Sequence, residues 1–441
     1  MYPINTVSKP KMLILIAILI LGLILRLHNY SRYPQRGASS DEYTYSFLGI
    51  SLLTKGIPIS WSAFPAYKNL RHLTIKKLYF PIVYPYFDHP PLNGLLVGGW
   101  SLLLGEDTFE AIDLSTIRLV PIFLSIISSI LIFLIGFYLY NYKTAIWAIL
   151  IYSTTTIFAM NGRVVFAENL LTPLMLLTVY LFLMFKKNMT LNKTVLLGIL
   201  CGLSFWTKEV GITVFLTTFY FFISERLKPK YVFTLSATSL LIIFSYALYG
   251  AYYDQELFWQ IISLQSNREI GPKTLLYLLS TPIIVNKIYL DGWYFFGLIS
   301  FFLSFWAYKS NKFILVPSLI YVLLLIFSLT EEGEMGWYMI PMFPFMALFS
   351  ARLLLTSLQK NNWFVFVMLL FVGLLHVRLL YQANFGLTAF QFRTIMLLMF
   401  VPFIFLYLIR KEKAFNVLAQ VWFYLYIIGN VILTYNYIHP A

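Results

Sequence analysis

Charge is scarce in this chain. Asp, Glu, Lys and Arg together make up 11% of its 441 residues, against roughly a quarter in soluble domains. Beside a hydrophobic share of 60% and an aromatic share of 19%, that scarcity excludes a soluble globular protein. Cysteine is nearly absent. The one residue, Cys201, lies inside an apolar run, which excludes an intramolecular disulfide and leaves the thiol to pack as a small hydrophobe. Acids are outnumbered by Lys and Arg, 18 to 32. The basic residues stand in small groups at the ends of apolar segments and form no single basic face, so the excess reads as membrane-flanking charge and not as nucleic-acid binding. The chain also lacks His or Cys at metal-ligand spacing, a Gly-rich phosphate loop and a Ser-His-Asp order. Nothing in it points to cytosolic nucleotide-sugar or ATP chemistry.

What it does have is a succession of apolar segments. Crossing the hydrocarbon takes about 20 residues, and the expected spans are 12–27, 117–140, 144–160, 168–185, 194–208, 210–224, 231–251, 290–308, 313–330, 337–357, 363–380, 393–410 and 414–436. The expected class is therefore an all-α polytopic membrane protein of about thirteen spans, one membrane domain over 1–441. The first run follows Lys9 and Lys11 like a signal peptide, but no small-x-small site follows in His28-Asn29-Tyr30-Ser31-Arg32, so it is read as a retained helix.

One further apolar stretch, Pro90 to Leu104, decides the orientation. If it does not cross, Lys143; Lys186, Lys187 and Lys193; Arg226, Lys228 and Lys230; Lys309 and Lys312; Lys360; and Arg410, Lys411 and Lys413 share the side of the N-terminus. By the positive-inside bias that side is cytoplasmic. The opposite short loops then hold Arg163, Lys208 and the acidic run Glu331-Glu332-Gly333-Glu334. Pro90 to Leu104 is accordingly expected as a juxtamembrane or re-entrant helix opened by its two prolines. Residues 28–116 become a first outer loop and 252–289 a second. Loops of that length carry function or are disordered. The first is rich in Tyr, Trp and Phe, among them Tyr43, Trp61, Phe64, Tyr67 and Tyr86, which speaks for a folded cap with interfacial helices.

The middles of the spans hold almost no ionisable groups, unlike most pumps and transporters. Polar chemistry gathers on the outer side instead. Asp41-Glu42 offers a general base, or simply acids in the first turn of a Ser-capped helix. Asp88-His89-Pro90-Pro91 offers either a capping Asp88 or an anion seat with His89 at a helix start. Arg163 and Glu168 flank another helix start, where Glu168 suits the macrodipole and Arg163 a snorkelling position. Lys208 and Glu209 form a cation and acid between two tightly joined spans, where a lone Lys is commonly an anchor.

In this order the features resemble the lipid-linked-sugar glycosyltransferases of the GT-C fold, nearest to the protein O-mannosyltransferase and aminoarabinose-transferase branch. The residues that carry the resemblance are Asp41-Glu42 after the first span, Phe87-Asp88-His89-Pro90-Pro91-Leu92, Thr116-Ile117-Arg118-Leu119-Val120-Pro121, Arg163 to Glu168, Thr207-Lys208, and Gly336-Trp337-Tyr338-Met339-Ile340-Pro341. The resemblance implies transfer of a sugar from a polyprenyl or dolichyl phosphate to a protein, lipid or glycan acceptor on the outer face of the plasma membrane, with inversion. It implies Asp41 as base, with Glu42 and Glu168 as the other catalytic acids. Glu168 stands where an Asp is common. His89, Arg118, Arg163 and Lys208 become donor-phosphate ligands, with Asp88 and Tyr338 as further site candidates. His89 replaces the Lys usual in the aminoarabinose branch. Asp41 and Glu168 have the oxygen ligands a divalent cation takes; oligosaccharyltransferases of this fold use one and mannosyltransferase relatives need not, so the sequence leaves a metal open. The rival readings are a polytopic transporter or flippase, a non-catalytic assembly subunit, and a ligase using pyrophosphate-linked donors.

Overall fold

The computed structural model describes residues 8–75, 78–266, 272–328, 336–359, 363–383 and 386–440. The acidic run Glu331, Glu332 and Glu334, and Lys360, lie outside the described residues.

The chain enters through α1 (Lys9–Leu27). Its one buried cation, Arg26, is held by backbone: the guanidinium donates to Gly22 O, Ser153 O and Tyr152 O at 3.1 to 3.2 Å. The first loop then folds as α2 (Asp41–Lys55), β1 (Ser60–Trp61), β2 (Asn69–Ile75), β3 (Leu78–Val83) and α3 (Leu92–Leu103). The strands make an antiparallel sheet in the order β1-β3-β2. An all-helical reading contains no such sheet. In β3, Phe80 and Ile82 turn inward while Tyr79 stays exposed, the period of two that a half-buried strand requires. Phe80 meets Tyr43 and Phe109, so the sheet is pinned onto α2 by aromatic packing.

α2 and α3 pack almost backbone to backbone. A Cβ on Gly49 would lie 1.8 Å from Gly94 O, and one on Gly98 only 2.4 Å from Ile50 N. Gly94 and Gly98 form a small-xxx-small stripe of the kind that allows close helix approach. At 12 residues and about 1.5 Å of rise each, α3 is too short to cross the bilayer. Asp88 does not cap it. α3 starts at Leu92 with Pro91 at its N-cap and no side-chain cap, while Asp88 accepts from Ser62 Oγ (2.6 Å) and Tyr67 OH (2.7 Å).

The bundle follows as α4 (Leu114–Ile117), α5 (Leu119–Leu139), α6 (Tyr142–Thr154), α7 (Thr156–Asn161), α8 (Ala167–Phe185), α9 (Leu191–Thr207) and α10 (Ile212–Ser224). α11 (Pro229–Ser266) breaks at Asp254 (φ −168°, ψ 99°). Its second half folds back so that Phe258 occupies the space beside Gly250, and the second loop continues as α12 (Pro272–Ser280) and the hairpin β4 (Ile283–Ile284) and β5 (Lys287–Ile288). α13 (Gly292–Leu303) and α14 (Tyr308–Ser328) are joined by a 3-10 turn. α15 (Phe343–Gln359), α16 (Trp363–Gln382), α17 (Ala389–Leu408) and α18 (Glu412–Tyr435) complete the chain. Eight helical stretches among the described residues are long and apolar enough to cross a membrane, Gly292–Ser328 counting as one. Expected spans 194–208, 210–224 and 363–380 fall on shorter apolar helices, and 144–160 is divided between α6 and α7.

The basic loops gather at one end. Lys186, at the end of α8, and Lys312, near the start of α14, both pair with Glu225, at 3.5 and 2.5 Å. The cap and the loop before α8 lie at the other end.

Candidate active site

Asp41 and Glu42 are adjacent, and the helix points them apart. Glu42 is fully buried and accepts from Arg118 Nε (2.8 Å) and Nη2 (2.7 Å), a bidentate pair. Arg118 Nη1 donates to Tyr30 O and Pro34 O, and Val165 N donates to Glu42 Oε1. This unit ties α2 to the start of the loop, to α5 and to the segment before α8. Neither Glu42 nor Arg118, expected as a catalytic acid and a donor-phosphate ligand, lines the cavity described below: the Arg118 guanidinium is held by the Glu42 carboxylate and two backbone carbonyls. Arg163, expected beside them, is also outside that cavity wall. It is buried and donates to His28 O at 2.8 Å, and burial lowers its pKa to about 9.

Asp41 opens onto a cavity of about 630 Å3 whose walls include His89, Lys208, Glu209, Tyr338 and Asp88. The cap contributes Trp61 and Phe64, and the folded-back half of α11 contributes Gln265. Asp41 accepts no hydrogen bond from a described residue. Its carboxyl is pushed up to about 6 by burial, against the pull of Lys208 and with Glu168 and Glu42 adding repulsion. Lys208 is no snorkelling anchor: it is buried, with Nζ 2.5 Å from Glu168 Oε1 and 4.8 Å from the centre of the Tyr338 ring. Burial works to lower its pKa, but the Glu168 carboxylate outweighs this and holds the ammonium charged. Glu168 itself sits beneath the wall in the first turn of α8. His89 stacks on Tyr45 at 5.3 Å, and Gln265 Nε2 donates to Asp88 O at 2.8 Å.

The metal reading can be tested on these contacts. The ammonium of Lys208 already neutralises Glu168, and among the described residues no group of three His, Cys, Asp or Glu could hold one ion. The donor set present does not fit a resident divalent cation.

Residues 88–249 match the family "Dolichyl-phosphate-mannose-protein mannosyltransferase". Among curated proteins none matches this sequence. Solved structures match over nearly the whole chain. ArnT from Cupriavidus metallidurans bound to undecaprenyl phosphate superposes with a TM-score of 0.56 at 13% identity, over 97% of this chain and 78% of that one. The chain has the GT-C fold. The Archaeoglobus fulgidus oligosaccharyltransferase in its apo form gives a TM-score of 0.51 at 13% identity over 94% of this chain. The same organism's AglB, in complex with an inhibitory peptide and a dolichol-phosphate, gives 0.52 at 11% identity over 98%. This chain spans 56% of the length of each archaeal protein. Within the GT-C fold the matched segment 88–249 contains His89, Asp88, Glu168 and Lys208 but ends before Gln265 and Tyr338.

Sequence reasoning underrated Glu209. It lines the cavity beside Lys208, its Oε1 is buried with no hydrogen-bond partner among the described residues, and burial pushes its pKa to about 7. Adjacency to Lys208 was the available signal. Gln265 gave none, because only the break at Asp254 returns it to the site.

Proposed function

We propose that this protein is an inverting glycosyltransferase that moves a sugar from a polyprenyl or dolichyl phosphate to a protein, lipid or glycan acceptor on the non-cytoplasmic face. The observation that carries the reading is the pairing, in one cavity, of an unpartnered carboxylate with a charged, buried ammonium, Asp41 with Lys208. Asp41 takes the proton from the acceptor hydroxyl or amine as that atom bonds to the anomeric carbon. The bond from that carbon to the phosphate oxygen breaks, and the lipid phosphate leaves as an anion that needs no proton. Lys208 supplies positive charge and His89 a ring nitrogen for hydrogen bonding to that phosphate, a kind of contribution worth about 100- to 1000-fold in rate. The solved structures that hold undecaprenyl phosphate and dolichol-phosphate support a lipid-linked donor. Trp61 and Phe64 from the first loop, and Gln265 from the second, give both loops access to the acceptor. The basic loops at the opposite end support a cytoplasmic N-terminus in the plasma membrane.

The test is release of polyprenyl phosphate from radiolabelled polyprenyl-phosphate-mannose and related donors by detergent-purified protein. Asp41→Asn should lose turnover at least 100-fold while still binding donor. Equal turnover in both proteins would remove Asp41 as base. No turnover with any donor or acceptor extract would move the reading to transport.

A further inference from the structure

A second polar cavity lies at the other end of the bundle. It measures about 280 Å3 and is walled by Asn141, Lys143, Arg352, Asn416 and Gln420 with the apolar Leu355 and Leu358. α6 runs from this cavity toward α7 and the loop that carries Arg163, and α15 runs toward it from the 3-10 turn that carries Tyr338. The two cavities are therefore separated by much of the length of both helices.

The charge here is one-sided. Arg352 lies over the Tyr140 ring at 4.6 Å and donates no hydrogen bond to a described residue, and Lys143 reaches only the Gln420 amide oxygen at 3.5 Å and the face of Trp147 at 5.2 Å. Among the described residues neither has a carboxylate within ion-pair range and no acid lines the cavity. Lys186 and Lys312, at the same end, are by contrast neutralised by Glu225. A partly buried guanidinium facing amides without a counter-charge is poorly compensated unless an anion completes it. The same two turns of α18 that present Asn416 and Gln420 to this cavity present Ala414, Val417, Leu418 and Val421, on the neighbouring face, to a groove of about 590 Å3 shared with α17. That groove is apolar throughout, with Lys413 at one end.

We infer that the cavity between α6, α15 and α18 is a binding site for the phosphate ester of an anionic phospholipid, held by Arg352 and Lys143, with an acyl chain along the α17–α18 groove. A basic pocket between membrane helices beside an apolar groove is the arrangement such headgroups use. Inorganic phosphate shares the charge but has no chain to lie in the groove, which favours the lipid.

The site is independent of sugar transfer, and its test does not depend on activity. Full-length protein in a neutral detergent is titrated with phosphatidylglycerol, with phosphatidylcholine of the same chains, and with inorganic phosphate, reading bound lipid by native mass spectrometry and the thermal midpoint in parallel. Wild type should bind phosphatidylglycerol about tenfold or more tighter than phosphatidylcholine. Arg352→Gln should lose that preference. The exposed Lys143→Gln, which disturbs no core, should lower it should Arg352→Gln not fold. Equal binding of the two lipids by wild type, or an unchanged preference in the variants, would overturn the inference. So would inorganic phosphate protecting as well as phosphatidylglycerol, which would mark a soluble-anion site.

Discussion

At the residue scale, the site depends on how four ionisable groups share a desolvated space. Asp41 titrates near 6 because burial opposes its charge and Lys208 only partly offsets this. Its raised pKa leaves it protonated, and useless as a base, below about 6. The rate of polyprenyl phosphate release should therefore fall as pH drops through that value and level off above it. The Lys208 ammonium pulls the Asp41 pKa down, so in Lys208→Gln the acid limb should move to higher pH, beside a loss of rate. A pH–rate profile of the two proteins checks both. A limb near pH 7 that vanishes in Glu209→Gln would instead name Glu209 as the titrating group, since burial holds it at about 7.

At the element scale, two devices hold α2 where Asp41 meets the cavity. One is the buried Glu42–Arg118 pair, which together with its neighbours Tyr30, Pro34 and Val165 joins four parts of the chain. Removing one partner of such a pair strands a buried charge and costs about 3–5 kcal/mol. Glu42→Ala should lower the thermal midpoint in detergent sharply, and Glu42→Ala with Arg118→Leu should recover part of the loss. The second is the glycine contact between α2 and α3. Gly98→Ala places a methyl against the backbone of Gly49 and Ile50, where overpacking costs about 1–3 kcal/mol. It should separate the two helices, lower stability and cut turnover by shifting Asp41 against His89, which melting and rate measurements on the same preparation would show. The apolar segments, and a short helix α3 (Leu92–Leu103) just after Pro90-Pro91, were legible from length, hydropathy and proline position. The three-stranded sheet was not: β1 is two residues long, too short for a periodic signal, and its pairing with β3 joins Ser60 and Trp61 to Val83 and Ile82, some twenty residues further along the chain.

At the scale of the whole molecule, the absence of a fitting metal donor set among the described residues carries a prediction. Turnover should survive exhaustive chelation with EDTA, because the positive charge next to Glu168 is the ammonium of Lys208; loss of activity restored by a divalent cation would refute this. Composition and segment lengths by themselves determined that the chain lives in a membrane, where the polar chemistry gathers and which acids and cations are available, because the energetic cost of putting charge in hydrocarbon is read residue by residue. Tertiary structure decided which of those residues act together. Asp41 and Glu42 are indistinguishable in a string, yet one faces a cavity and the other is consumed by Arg118. Arg163 is turned to a backbone carbonyl, Lys208 to Glu168, and Gln265 arrives from more than two hundred residues beyond Asp41. Ion pairing and burial depend on distance in space, which a sequence does not carry.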